Sequence, residues 1–283
     1  MSTVARNQPQ IVLTDLTFPE SPRWHDGRLW VSDWGTGEVI AVERDGRREV
    51  VTRVEGLTCI AHLPDGQLLI VSSADRRLLR LERDGTLTTY AELGELGQKP
   101  WNDIVVDGRG NAYVNNIGFD FPEGEFAPGI VALVSPDGAV RQVAGDLAFP
   151  NGMVITPDNN TLIVAESYGQ KLTAFDIRAD ASLSNRRAWA DVEGHPDGIC
   201  IDADGAVWYG DVGMSRCVRV REGGDVLDVI VLDRGCFACA LGGPDRRTLY
   251  LTLNAWGGEG IGEGPPQGQV VSVAAPSAGA GWP

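Results

Sequence analysis

The stretch Asp65-Gly-Gln-Leu-Leu-Ile-Val-Ser72 decides the fold, because the chain repeats its form along its whole length. A turn dipeptide before a short apolar, β-rich run recurs as Asp26-Gly27 before Leu29-Trp-Val-Ser-Asp33 and as Asp107-Gly108 before Ala112-Tyr-Val-Asn115. It returns as Asp158-Asn159 before Leu162-Ile-Val-Ala-Glu166, Asp204-Gly205 before Val207-Trp-Tyr-Gly-Asp211, and Asp245-Arg246 before Leu249-Tyr-Leu-Thr252. The intervals between the aspartates are 39, 42, 51, 46 and 41 residues. A period of this size, with a strand after every turn, is what radially arranged four-stranded sheets require. The repeat predicts an all-β fold, a six-bladed β-propeller. Asp-Gly pairs scattered through the loops of a β-sandwich are the alternative, and they need no common period.

A second series supports the first. Asp45-Gly46, Asp84-Gly85, Asp137-Gly138, Asp180 and Glu222-Gly223 interleave with it, each after an apolar run such as Val39-Ile-Ala-Val42 or Leu78-Leu-Arg-Leu81. These are expected to close the hairpin between the middle strands of each blade, since tight turns need the positive φ that glycine adopts freely. Six blades of about 47 residues account for all 283 positions, so residues 1–283 are expected to form a single domain. Ile11-Val-Leu-Thr-Asp-Leu16 and Gln269-Val-Val-Ser-Val273 are strand candidates at opposite ends of the chain. Paired in one blade, they would close the ring and remove exposed edges. The tail 276–283, rich in Gly, Ala and Pro, is expected to be flexible.

A formal charge of −15 disfavours nucleic acid and anionic lipid as partners. Met1 to Gln10 lacks the basic-then-apolar pattern of a secretory leader, and no apolar run approaches the 18 residues of a membrane span. The five cysteines, Cys59, Cys200, Cys217, Cys236 and Cys239, form an odd set without disulfide-framework spacing. They read as buried thiols of a cytoplasmic protein. His25 and His62 read as surface residues and His195 as a loop residue near Asp197.

The first strand of a propeller blade lines the central channel. Five to seven residues before each turn of the first series, the chain carries Glu20, Cys59, Asn102, Asn151, Asp197 and Cys239. Four of these are oxygen donors. Two carboxylates and two amides at one axial point are costly to bury without a cation. All-oxygen ligation favours a hard ion, with Ca²⁺ the first expectation and Mg²⁺, Mn²⁺ or Zn²⁺ as alternatives. Turn and cap roles for Asn-Gly and Asp-Gly are the competing explanation. They leave the common register unexplained. No Gly-x-Ser-x-Gly elbow, phosphate loop or paired-histidine motif is present.

Phe18-Pro-Glu-Ser-Pro-Arg-Trp24, Asn102-Asp-Ile-Val-Val-Asp107, Phe149-Pro-Asn-Gly-Met153 and Pro196-Asp-Gly-Ile199 together resemble the signature segments of the gluconolactonase and regucalcin (senescence marker protein, luciferin-regenerating enzyme) family. The resemblance extends over roughly residues 10 to 275. It implies a six-bladed propeller with one catalytic divalent cation that hydrolyses lactones or related esters. Glu20, Asn151 and Asp197 correspond to direct metal ligands, and Asp197 also to the general base. Asn102 corresponds to a residue that ligates the metal or contacts substrate and metal-bound water.

This chain departs from the sugar-lactone members, which commonly carry an arginine where Pro100 stands, between Lys99 and Trp101. Aromatic residues Trp24, Trp34, Trp101, Phe119, Phe121, Tyr168 and Trp256 are expected near the mouth, making the pocket more apolar. Asn102, Trp101, Asn115, Asn116, Phe119 and Tyr168 are the candidate substrate contacts. The extended segment Asn116 to Pro128 is expected to form an ordered loop, a lid over the site. The sequence therefore favours a lactonase acting on a small lactone or ester. Hydrolysis of other activated esters, such as aryl esters or organophosphates, and non-enzymatic metal binding are the alternatives.

Overall fold

The computed structural model describes residues 8–43, 45–255 and 266–281. Its elements are all strands, beginning with β1 (Gln10–Leu16). The first blade follows as β2 (Pro19–His25), β3 (Arg28–Asp33), β4 (Glu38–Val42) and β5 (Arg48–Arg53). The second is β6 (Thr58–His62), β7 (Leu68–Ser72), β8 (Arg77–Leu81) and β9 (Leu87–Glu92). The third is β10 (Trp101–Val106), β11 (Ala112–Asn116), β12 (Gly129–Val134) and β13 (Val140–Leu147). The fourth is β14 (Pro150–Ile155), β15 (Thr161–Glu166), β16 (Lys171–Ile177) and β17 (Leu183–Asp191). The fifth is β18 (Pro196–Ile201), β19 (Val207–Asp211), β20 (Arg216–Val220) and β21 (Val226–Val231), and the last strands are β22 (Gly235–Gly242), β23 (Thr248–Asn254) and β24 (Gly268–Ala274).

Six four-stranded antiparallel sheets result, and the last is ordered β1-β24-β23-β22. Ile11 pairs with Val271, so the two ends of the chain close the ring in one blade, as the sequence implies. The first strands β2, β6, β10, β14, β18 and β22 stand side by side around the axis. The described residues contain no helix long and apolar enough to cross a membrane.

Burial explains why the second strand of each blade announced itself most plainly. The second strands lie between neighbouring blades and are covered on both faces. Every residue of β7 and β19 is buried, so these strands read as unbroken apolar runs. The outermost strands face solvent, as the largely exposed and half-buried β5 and β21 show.

The turns of the first series close the hairpins between first and second strands. In four of them the aspartate accepts a local N–H bond, as from Gln67 N to Asp65 Oδ1 at 3.1 Å and from Arg247 N to Asp245 Oδ1 at 3.0 Å. Asn159 and Arg246 stand where Gly66 stands in its turn, and take the same left-handed φ of 58° and 59° against its 86°. The second series requires a correction. Asp45-Gly46, Asp84-Gly85, Asp137-Gly138, Asp180 and Glu222-Gly223 connect third to fourth strands, not the middle pair. Both tight-turn series thus lie on one face of the ring. The middle connections lie on the opposite face, where the first strands begin. They are free to vary, and one of them is the extended loop that follows Asn116.

The described part of the tail, 276–281, is docked rather than loose. Ala203 N donates to Ala278 O at 2.7 Å, Gly279 N to Arg246 O at 2.7 Å, and Ala280 N to Ile201 O at 3.0 Å. Gly279 and Ala280 lie with Arg23, Cys200 and Cys239 around the lower part of the central channel. The backbone hydrogen bonds that hold this segment have no signature in its composition.

Candidate functional site

Each first strand except β6 carries one extra residue relative to its partner near its start. Glu20 pairs with Ser32 and Arg23 with Trp30, while Trp101 pairs with Asn116 and Ile104 with Val114. The same three-against-two step separates Pro150 from Met153 and Pro196 from Ile199, and Cys236 and Ala238 face the adjacent Leu253 and Thr252. A β-bulge bends the strand and re-aims side chains. Glu20, Asn102, Asn151 and Asp197 all sit at such bulges, near the axis. The unbulged β6 presents Cys59 instead. The sequence reading located the ring but missed the bulges, whose only trace is the common Pro before Glu20, Asn151 and Asp197.

The glycines after Asn151 and Asp197 are not turn residues. A Cβ on Gly152 would meet Ile199 N at 2.5 Å and Asp197 O at 2.6 Å, and one on Gly198 would meet Ala238 Cα at 2.7 Å. They let β14, β18 and β22 approach closely and so draw the side chains of Asn151 and Asp197 to one point. Gly152→Ala should cost about 3 kcal/mol of stability, since only backbone could yield. A urea midpoint unchanged from wild type would contradict that packing.

Glu20, Asn102 and Asn151 line one small cavity with Ser21, Arg23, Cys59, Asp103 and Cys239. It offers about 10 Å³ to the centre of a water molecule, room for one water or one ion. Asn102 Nδ2 donates to Asn151 Oδ1 at 3.2 Å, and Asn151 Nδ2 donates to Ser167 Oγ at 3.3 Å. Asp197 is hydrogen-bonded by the Asn151 side chain. Beneath them Arg23 Nη2 donates to Asp103 Oδ1 at 2.9 Å, and Met153 N donates to Asp103 Oδ2 at 2.8 Å.

Burial pushes the Glu20 carboxyl up to about 8, with the Asp103 carboxylate adding to the shift and the Ser21 N–H and Arg23 opposing it. Burial also holds Asp197 well above the usual carboxylate range, reinforced by Glu20 and Asp103. Asp103 is raised by burial against the pull of Arg23. With all three carboxyls ionised, the single guanidinium would leave two negative charges in excess, which a divalent cation would balance. Among the described residues no three His, Cys, Asp or Glu side chains form a metal-binding group. The donor set here instead combines two carboxylates with two amides.

The remaining candidates separate. Trp101 is fully buried, packed in the core between the second and third blades, with Nε1 donating to Gly97 O at 3.2 Å. It presents no surface to a substrate. Asn115 is equally buried: its Oδ1 accepts from Asp103 N at 3.1 Å and its Nδ2 donates to Asn151 O at 2.6 Å. It positions Asn151 and Asp103. Asn116 Nδ2 donates to Lys99 O at 2.6 Å and its Oδ1 accepts from Gly118 N at 3.0 Å. It ties down the entry to β10. Asp33 and Glu166, also the last residues of second strands, hold the connections to β2 and β14 through Phe18 N at 2.7 Å and Ala148 N at 2.7 Å. The polar residue that ends these strands is therefore a brace, a repeated feature visible in the sequence but not recognised there.

Phe119 and Tyr168 are brought together on the mouth face, with ring centroids 5.7 Å apart, and Phe121 lies 6.3 Å from Phe119. Trp34 stacks on Phe18 on that face, but Trp24 lies near the turn at the other end of β2, stacked on Tyr250. Trp256 lies outside the described residues. His195 is exposed, its Nδ1 2.9 Å from Ser167 O. His25 and His62 stack at 3.9 Å, and burial, with His25 and nearby arginines, pushes His62 down to about 2, so His62 is not the surface residue expected.

Comparison with known proteins agrees with this architecture. The chain is 27% identical over 211 residues to diisopropyl-fluorophosphatase of Loligo vulgaris, an alignment covering 64% of this chain and 65% of that one. It is 25% identical over 264 residues to a pentonolactonase of Haloferax volcanii, covering 90% and 88%. A solved luciferin-regenerating enzyme superposes with a TM-score of 0.80 at 20% identity, over 97% of this chain and 98% of the other, which establishes the shared fold. Residues 18–255 match the model of the SMP-30/gluconolactonase/LRE-like region, and the chain belongs to that family.

Proposed function

We propose that this protein is a metal-dependent hydrolase that opens lactones, with Glu20, Asn102, Asn151 and Asp197 holding one divalent cation at the centre of the ring. The observation that carries this reading is that Glu20, Asn102 and Asn151 line one small cavity from three bulged strands, with Asp197 hydrogen-bonded to Asn151 from a fourth. The relatives named for lactone and fluorophosphate hydrolysis support it. Hard oxygen donors favour Ca²⁺, with Mg²⁺, Mn²⁺ and Zn²⁺ as competitors.

When bound, the cation supplies Lewis-acid polarisation of the acyl carbonyl and positive charge for the developing oxyanion. Asp197 takes the proton of the attacking water. Water oxygen bonds to the acyl carbon, the ring C–O bond breaks, and the proton passes to the departing oxygen, giving a hydroxy acid. Asn151 fixes the Asp197 carboxylate, and its own orientation depends on Ser167 and Asn115. Asn102, half-buried at the mouth side of the cavity, orients the substrate. Five free, buried thiols support a reducing, cytoplasmic setting.

The test is to strip the protein with chelator, restore each cation separately, and follow proton release across sugar, aliphatic and aryl lactones, aryl esters and a fluorophosphate. Turnover of lactones that depends on the restored cation is expected. Tight stoichiometric metal binding with no turnover of any substrate would instead make this a metal-binding propeller. Turnover confined to the fluorophosphate or aryl esters would move the reading to that substrate class.

A further inference from the structure

The mouth of the channel is unequal around its rim. On the third and fourth blades Phe119 lies at the centre of an aromatic group, with ring centroids 5.7 Å from Phe126, 5.4 Å from Phe149 and 5.7 Å from Tyr168. Phe119 and Phe149 are buried with Ile117 beneath, forming a small core of their own. Above them Phe126 and Tyr168 are 50% and 47% exposed, and Phe121 is 36% exposed. Side chains of this size normally bury most of their surface, and a cluster of three left half-open marks a binding surface.

This wall is continuous with the proposed metal site. Tyr168 follows Ser167, whose hydroxyl lies 3.3 Å from Asn151 Nδ2 and donates to the carbonyl of Pro196, the neighbour of Asp197, at 2.8 Å. Phe149 precedes Asn151 by two residues. Three polar side chains on this side are engaged by the protein itself. Both amides of Asn115 and Asn116 bond to the protein, and Lys99 Nζ is paired with Asp120 Oδ2 at 2.5 Å.

We propose that the site takes lactones carrying an apolar alkyl or aryl substituent, which lies against Phe126, Phe121 and Tyr168 while the lactone carbonyl faces Asn102, Asn151 and Asp197. The proposal rests on the hydrolase reading and specifies its substrate class. The segment after Asn116 is on this account the specificity wall of the site.

The decisive measurement is kcat/KM for γ-lactones of increasing side-chain length, for a phenyl-substituted γ-lactone and for glucono-lactone, with the cation restored. A rise of about threefold per added methylene over the first few carbons is expected from partial burial of the chain. In Phe126→Ala and Tyr168→Ala, both changes at exposed positions, the gain per methylene should fall to less than half. Phe126→Leu should keep it. A flat or falling series, a preference for glucono-lactone, or an undiminished gain in both alanine variants would overturn the proposal while leaving the hydrolase reading intact. Absence of turnover with every lactone would overturn the lactonase reading, and this proposal with it.

Discussion

Asp197→Asn should lower kcat/KM for any lactone the protein opens by on the order of 10³-fold while leaving the fold intact. Asparagine keeps the shape of the side chain and can still bond to Asn151. It cannot accept the proton of the attacking water at neutral pH. It also removes a carboxylate that a cation would draw into its ionised form, so cation affinity should fall in parallel, readable by titration with a fluorescent chelator as competitor. The metal-free fold should not suffer. Burial and the neighbouring carboxylates hold Asp197 well above its ordinary range, so a neutral side chain of the same shape removes a charge that the metal-free site opposes. A variant with full activity would remove Asp197 from the mechanism. A variant that lost activity because it unfolded, seen in circular dichroism, would remove the evidence for its chemical role, and Asp197→Glu would then be compared.

The second large effect is on stability. In the cation-free protein the Glu20 carboxyl titrates at about 8 instead of its ordinary 4.5, chiefly because it is buried. Between those values the folded state keeps a proton that the unfolded state has released. Stability therefore falls as pH rises from about 4.5 to 8 and levels off above. For a side chain only 6% exposed the fall is on the order of 4 kcal/mol. A divalent cation reverses the sign, since it favours the ionised carboxylate and binds most strongly where Glu20 is deprotonated. Urea midpoints of chelated protein should thus decline from pH 5.5 to 8.5, and added Ca²⁺ should stabilise most at the high end. Glu20→Gln removes this contribution, together with the part of the Asp197 shift that Glu20 supplies. Identical pH profiles for wild type and Glu20→Gln in chelator would refute the account.

Much of this protein is legible in its sequence, for reasons that differ among its parts. Four of the six Asp-led turns, at Asp65, Asp107, Asp158 and Asp245, are local: a side-chain oxygen bonds to the backbone two residues on, so composition and conformation coincide. The second strands are legible because burial on both faces demands a continuous apolar run. The ring of Glu20, Asn102, Asn151 and Asp197 is legible because the repeat gives each blade the same register. The middle hairpins escaped because their length is free on the mouth face, where function rather than turn geometry decides it.

Trp101, Asn115 and Asn116 show the other limit. Their types suit substrate contact, yet Trp101 fills the space between two blades and the two amides satisfy buried backbone groups. Whether a tryptophan or an amide faces a ligand or its own protein depends on neighbours distant in the chain. The same holds for the docked tail, secured by carbonyl and amide groups that every sequence possesses. The sequence by itself determined the blade count, the closure of the ring and the residues at its axis, because periodic turns and burial are encoded locally. Only the tertiary structure decided where those residues point and what is left exposed, because bulges, close approaches at Gly152 and Gly198, and competition for buried hydrogen bonds arise from contacts between strands.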